Sequence, residues 1–173
     1  MLPFFVAILF GILVSIITLD FETYYDKGLG FKTQTTEEYI RDPRFEVIGV
    51  GVKVNDAAAA EWFSGTREEI FSYLKKFDWK HSALLCHNTM FDGAVLNWFF
   101  KISPVVYLDT LCMARAIHGV EAGGSLASLS SRYAIGQKGT EVEDAYGKKR
   151  SDFGEAELKR YGEYSKNDVE LTY

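Results

Sequence analysis

Hydrophobic and polar positions change period several times along this chain, and each change predicts an element. The first stretch, Leu2 to Leu19, carries no charge. As one helix it would measure about 27 Å, short of the roughly 30 Å of bilayer hydrocarbon. It lacks the basic leader and small-residue cleavage site of a signal peptide. Its second half, ILVSIITL (12–19), is rich in β-branched residues that suit a buried strand, and Gly11 marks a break before it. Residues 12–21 therefore predict a central strand. Residues 1–11 are left as an apolar extension of unassigned role, with a membrane anchor as its alternative reading.

VIGVGVKV (47–54) alternates and predicts a second strand; AAAAEWFSG (57–65) predicts a short edge strand. TREEIFSYLKKF (66–77) has helical spacing, with Thr66 as N-cap and Glu69 closing a capping box. SALLCHN (82–88) predicts a buried strand. The following segment, 90–100, predicts a helix with Phe91, Val95, Trp98 and Phe99 on one side. PVVYLDTL (104–111) predicts a strand, 126–135 a helix and 136–150 a polar loop. Asp152 and Glu155 open a last helix that runs to Tyr173. Strands cluster first and then alternate with helices, which predicts an α/β domain: a mixed sheet with helices on both faces. No linker divides residues 12–173. The isolated GVG of 49–51 lies inside a strand and does not read as a phosphate loop, and no nucleophile elbow is present.

Three stations carry candidate chemistry. In LDFET (19–23), Asp20 and Glu22 are two apart at the C-terminal end of a strand, so both carboxylates share one face. In HNTMFDGAVL (87–96), Asn88 leaves a strand and Asp92 sits on the first turn of the next helix. In YGEYSKNDVELTY (161–173), Tyr164 and Asp168 are i and i+4 on one helix face. Taken singly, each has a plain structural reading: a polar strand end, a helix cap, an amphipathic helix packing Leu158, Tyr161, Tyr164 and Val169.

Their order and context together carry more. D-x-E ending a strand, N-x-x-F-D bridging strand and helix, and Y-x-x-x-D on the final helix resemble the DEDD superfamily of 3′→5′ exonucleases, in its Tyr-containing branch. A His five residues before Asp168 would mark the other branch, and Glu163 stands there. LDFETYYDKG and EEYIRDPRFEVIGVGV look most like the proofreading domain of phage-type family A DNA polymerases. The resemblance spans roughly residues 12–173. It implies a ribonuclease-H-like mixed five-stranded sheet in the order 3-2-1-4-5, with Asp20 and Glu22 on the first strand. It also implies Asp20, Glu22, Asp92 and Asp168 as metal ligands and Tyr164 as an orienting hydroxyl. Phe21, Thr23 and Asn88 would hold the terminal nucleotide.

The chemistry suits these residue types. Two divalent ions can activate a water and stabilise the leaving oxygen of a phosphodiester. Hard ions such as Mg²⁺ or Mn²⁺ prefer carboxylate oxygen. Asp20 would bridge both ions, Glu22 and Asp168 would complete the one that binds the attacking water, and Asp92 would serve the other. Tyr164, with an ordinary pKa of about 10, orients better than it deprotonates. Lys148, Lys149 and Arg150 precede the last helix and are candidates for phosphate contacts. Asp109 caps the helix after its strand, with a supporting place beside the acids as the alternative.

Charge enters last. With 24 acidic and 19 basic residues the chain carries −5, which argues against holding nucleic acid by bulk positive charge. Two divalent ions would bring it to about −1, so nucleic acid returns as substrate. Cys86 and Cys112 sit in apolar runs and read as small core residues, and a reducing compartment follows. The expected function is metal-dependent hydrolysis of DNA from its single-stranded or frayed 3′ end to nucleoside 5′-monophosphates, in a bacterial or phage-infected cytoplasm. The alternatives are a ribonuclease D-like RNA 3′-end exonuclease and an inactive nucleic-acid-binding domain. Family A polymerases carry several hundred further residues for synthesis. The resemblance therefore implies a fragment truncated beyond Asp168, separated from a polymerase domain, or a free-standing exonuclease.

Overall fold

The structure, a computed structural model, describes residues 15–139 and 144–173. The apolar extension and the first residues of the predicted central strand lie outside these. Among the described residues no helix is long and apolar enough to cross a membrane.

Five strands form one mixed sheet: β1 (Ser15–Thr23), β2 (Val47–Val54), β3 (Glu61–Phe63), β4 (Ser82–Cys86) and β5 (Val106–Asp109), in the order β3-β2-β1-β4-β5. This is the ribonuclease-H-like order expected from the sequence. β1 pairs antiparallel with β2 and parallel with β4, and β5 continues parallel to β4. β1 is therefore central, and its burial on both faces accounts for its near-continuous apolar run.

Helices cover both faces. On one, Leu19, Phe21, Val50 and Val52 pack with Ile70 and Leu74 of α2 (Arg67–Leu74) and Phe91 of α3 (Thr89–Ala94). On the other lies α6 (Glu155–Thr172), bringing Tyr161 and Tyr164 against Ile48. α6 approaches closely because glycines stand opposite the two acids of β1: Asp20 pairs with Gly51 and Glu22 with Gly49. A Cβ on Gly51 would lie 2.7 Å from Ser165 Oγ, and one on Gly49 2.3 Å from Trp62. The GVG of β2 is thus a packing device. The C-terminal turn of α6 is fastened rather than frayed: Glu170 takes Lys53 Nζ at 2.5 Å and the Ala60 N–H at 2.6 Å.

Several elements differ from expectation. α1 (Thr36–Arg41) has a Thr35–Glu38 capping box that sequence reading passed over. The predicted helix of 90–100 turns α-helical only to Ala94 and then π-helical over Val95–Phe99. The wider turn breaks the 3.6 spacing, leaving Trp98 39% exposed while Val95 is buried. The edge strand β3 is three residues, shorter than 57–65. α4 (Thr110–His118) and α5 (Leu126–Tyr133) follow β5. Asp152 closes a short 3-10 turn, and Gly154 is the cap residue of α6. Cys86 is buried as expected, but Cys112 is exposed on α4.

Candidate active site

β1 delivers Asp20 and Glu22 to the face that α6 covers, and α6 brings Tyr164 and Asp168 across from it. α3 supplies Asp92 from the end of β4. All five side chains line one cleft of about 670 Å³, together with Phe21, Thr23 and Asn88. Thr23 is buried, and its hydroxyl lies 2.9 Å from that of Tyr39.

The acids are deeply set. Glu22, Asp92 and Asp168 are buried, Asp20 half-buried. Asp92 Oδ1 accepts the Phe21 N–H at 3.0 Å, tying α3 to the acid-bearing strand. Burial, then the nearby charge of Asp20, pushes Asp92 well above the usual carboxylate range. Burial and Asp20 do the same to Glu22, offset by a hydrogen bond from Tyr161. Burial also raises Asp20, offset first by the charge of Lys138. The two neighbouring carboxyls act on one another, Asp20 pushing Glu22 further up. Crowded anions in low dielectric keep a proton unless a cation replaces it.

Two residues of the cleft were not anticipated in their roles. Tyr161 donates to Glu22 Oε2 at 2.6 Å, and desolvation raises its own pKa. The sequence reading placed it with the packing residues, and its position one turn before Tyr164 was the available signal. Lys138 comes from the polar loop: its ammonium pairs with Asp168 Oδ2 and lies 4.8 Å from the centre of the Tyr164 ring. Burial lowers its pKa, while Asp20 and Glu22 raise it. No spacing rule points to a lysine 30 residues before Asp168. Ser165 Oγ reaches Asp20 Oδ2 at 3.3 Å.

Asn88 does not cap α3 with its side chain; its backbone is left-handed (φ 68°). Asp109 serves instead. Its carboxylate accepts the N–H groups of Asn88 and Thr89, each at 3.1 Å, and of Leu111 and Cys112 at 2.9 and 3.3 Å. The capping expectation for Asp109 holds, and it reaches two helices rather than one. Lys148, Lys149 and Arg150 do not line the acid cleft. Lys148 pairs with Glu157 at 2.9 Å, while Lys149 and Arg150 face a separate groove.

A hard divalent ion fits the donor set, which is all carboxylate oxygen, and Asp168 Oδ1 is buried without a hydrogen-bond partner. As they stand, no three carboxylate, imidazole or thiolate groups among the described residues converge tightly enough to hold an ion. Lys138 occupies Asp168 Oδ2 and leaves Oδ1 as the oxygen an ion would meet.

The fold is ribonuclease-H-like. No family model matches the chain, and no curated protein matches it. Solved structures do. NrnC of Brucella melitensis with bound Mg²⁺ has a TM-score of 0.61 at 16% identity, over 95% of this chain and 71% of NrnC. NrnC bound to pGG gives a TM-score of 0.64 at 18% identity, with the same coverage. Trypanosoma brucei RNase D in complex with RNA U12 gives 0.61 at 13% identity, over 91% of this chain and 52% of RNase D. At these identities the likeness is one of fold.

Proposed function

We propose that this chain is a metal-dependent 3′→5′ exonuclease acting on single-stranded nucleic acid, with RNA rather than DNA as substrate. One observation carries it: four acids from three distant segments line one cleft, with Tyr164 one turn before Asp168 on the helix across from β1. The substrate half rests on the similar structures, one holding pGG and another RNA U12. They favour the ribonuclease D-like alternative over polymerase proofreading.

Asp20, Glu22, Asp92 and Asp168 would hold the divalent ions. When bound, those ions supply Lewis acidity toward the scissile phosphate and activate water. The chain's own residues set the rest. Tyr161 fixes the Glu22 carboxyl, and Phe21 N–H fixes Asp92. The Tyr164 hydroxyl orients the water whose oxygen forms the new P–O bond as the 3′ oxygen departs. Phe31, 56% exposed at the cleft and edge-on to Phe91 at 4.7 Å, offers a face for the terminal base.

The test compares 3′-labelled RNA and DNA oligonucleotides with Mg²⁺ and with EDTA, using Asp20→Ala as control. Stepwise release of nucleoside monophosphates, faster on RNA and lost in the variant, is expected. Wild-type rates in Asp20→Ala would sink the reading. A tenfold preference for DNA would return the substrate to the proofreading class.

A further inference from the structure

Outside the acid cleft lies a charged groove of about 650 Å³ between α1, the start of β2, the N-terminus of α2 and the segment 149–151. Arg41, Arg44, Arg67, Lys149 and Arg150 line it, against Asp42 and Glu46. This is an excess of positive charge on a chain whose net charge is −5.

The cations are held in place, and two of them by neutral partners. Arg67 donates to the Phe99 carbonyl at 2.9 Å and lies 4.1 Å from the centre of its ring. Arg150 donates from Nε to Ser64 Oγ at 3.0 Å. Neither guanidinium has a carboxylate within 4 Å among the described residues, although the charge of Arg150 is felt by Glu69 and its backbone N–H donates to Glu46 at 2.7 Å. Arg44 is held by Asp42 and Asp26, and Lys149 reaches Glu46 only at 4.0 Å. Pre-positioned guanidinium groups suit phosphate oxygens.

The groove adjoins the acid cleft through one stretch of chain. Asp26 lines the cleft, and Arg44 Nη1 reaches it at 3.5 Å from the groove side. Lys149 Nζ lies 5.6 Å from the centre of the Tyr24 ring, and Gly147 N–H donates to the Tyr25 carbonyl at 2.8 Å. Arg44 and Lys149 of the groove thus reach Asp26 and Tyr24, in a stretch whose Thr23, Tyr25 and Asp26 line the acid cleft.

We propose that the groove is an upstream phosphate track. It binds the sugar–phosphate backbone of single-stranded nucleic acid several nucleotides before the 3′ end, whose last nucleotide enters the acid cleft. The inference rests on the exonuclease reading and adds where the rest of the strand goes. Backbone contacts of this kind position a strand without reading its sequence. It also explains Lys149 and Arg150, which the acid cleft does not use.

Fluorescence anisotropy with 5′-labelled single strands of 3 and 12 nucleotides, in EDTA so that nothing is cleaved, tests it. For Arg67→Gln combined with Arg150→Gln, the ratio of long-strand to short-strand affinity should fall about tenfold. The salt slope for the long strand should shrink by about 1.4, the value for two lost phosphate contacts. An unchanged ratio and slope overturn the track. A thermal melt checks folding; should the pair unfold, the single variants Arg67→Gln and Arg150→Gln replace it, each with an expected slope change of about 0.7. Degradation of the 12-mer by the wild-type protein with Mg²⁺ runs in parallel. Its absence sinks the exonuclease reading, while the anisotropy ratio separately decides the track.

Discussion

Asp92→Asn should destroy activity and yet make the metal-free protein more stable. Asp92 is 4% exposed, and its charge is opposed by burial and by Asp20. An unfolded aspartate titrates near 3.9, and the folded one titrates higher. The sign follows from that order. The favourable contribution of Asp92 is complete below the unfolded pKa and is lost as pH rises through the folded value. Above that folded value the fold carries a buried, poorly compensated carboxylate. Asparagine keeps an oxygen for the Phe21 N–H, and the cleft gives its new amide hydrogens access to water. Removing an inadequately paired buried group of this kind is worth about 2 kcal/mol. In a chain of this length that corresponds to a rise of about 4–8 °C in melting temperature. The assay is thermal unfolding in EDTA at pH 8 and pH 5, then in Mg²⁺. The gap should narrow as pH falls from 8 to 5, toward the unfolded value, because the folded carboxyl holds its proton more tightly than the unfolded one. Saturating Mg²⁺ should reverse the order, since an ion at 100 times its Kd adds about 2.7 kcal/mol to the protein that binds it. A lower melting temperature for Asp92→Asn in EDTA at pH 8 would refute the electrostatic account.

Lys138→Met removes the cation paired with Asp168 and should raise Mg²⁺ affinity about fivefold by calorimetry, a change of about 1 kcal/mol; weaker binding would make Lys138 a supporter of the ion rather than its competitor. Tyr164→Phe should slow turnover at least tenfold with metal affinity within about twofold, as expected when a positioned hydroxyl is lost. Tyr161→Phe should instead shift the acid limb of the pH–rate profile upward, because its hydrogen bond is what holds Glu22 down; an unmoved limb would confine Tyr161 to packing. Gly162→Ala places a Cβ 2.5 Å from Trp62 Cδ1, so overpacking should outweigh the helix-propensity gain of about 1 kcal/mol and lower the melting temperature by about 2–4 °C.

The strands, helices and acid positions were legible because strand ends and helix starts are local patterns, whereas the sheet order came from the resemblance. Asp20 and Glu22 declare a shared face by their spacing, and Tyr164 and Asp168 do the same on a helix. What escaped depended on distance in sequence. Lys138 meets Asp168 only because the polar loop folds back over α6, and nothing in GQKGT says so. Asn88 looked like a cap because its neighbours do not show that Asp109, 21 residues on, takes its N–H. Lys149 and Arg150 were legible as phosphate candidates but not as belonging to another groove, since the fold decides which cavity a surface loop faces. α1 was missed although its capping box was present, because a six-residue helix has too few turns to display a period.

The Asp109 carboxylate has a dynamic consequence. Four amide protons, from Asn88, Thr89, Leu111 and Cys112, converge on one side chain. Because they share one acceptor, loss of the Asp109 carboxylate would loosen all four together. They straddle the starts of α3 and α4. A fluctuation that begins in α4, which contributes nothing to the acid cleft, therefore reaches the helix that carries Asp92.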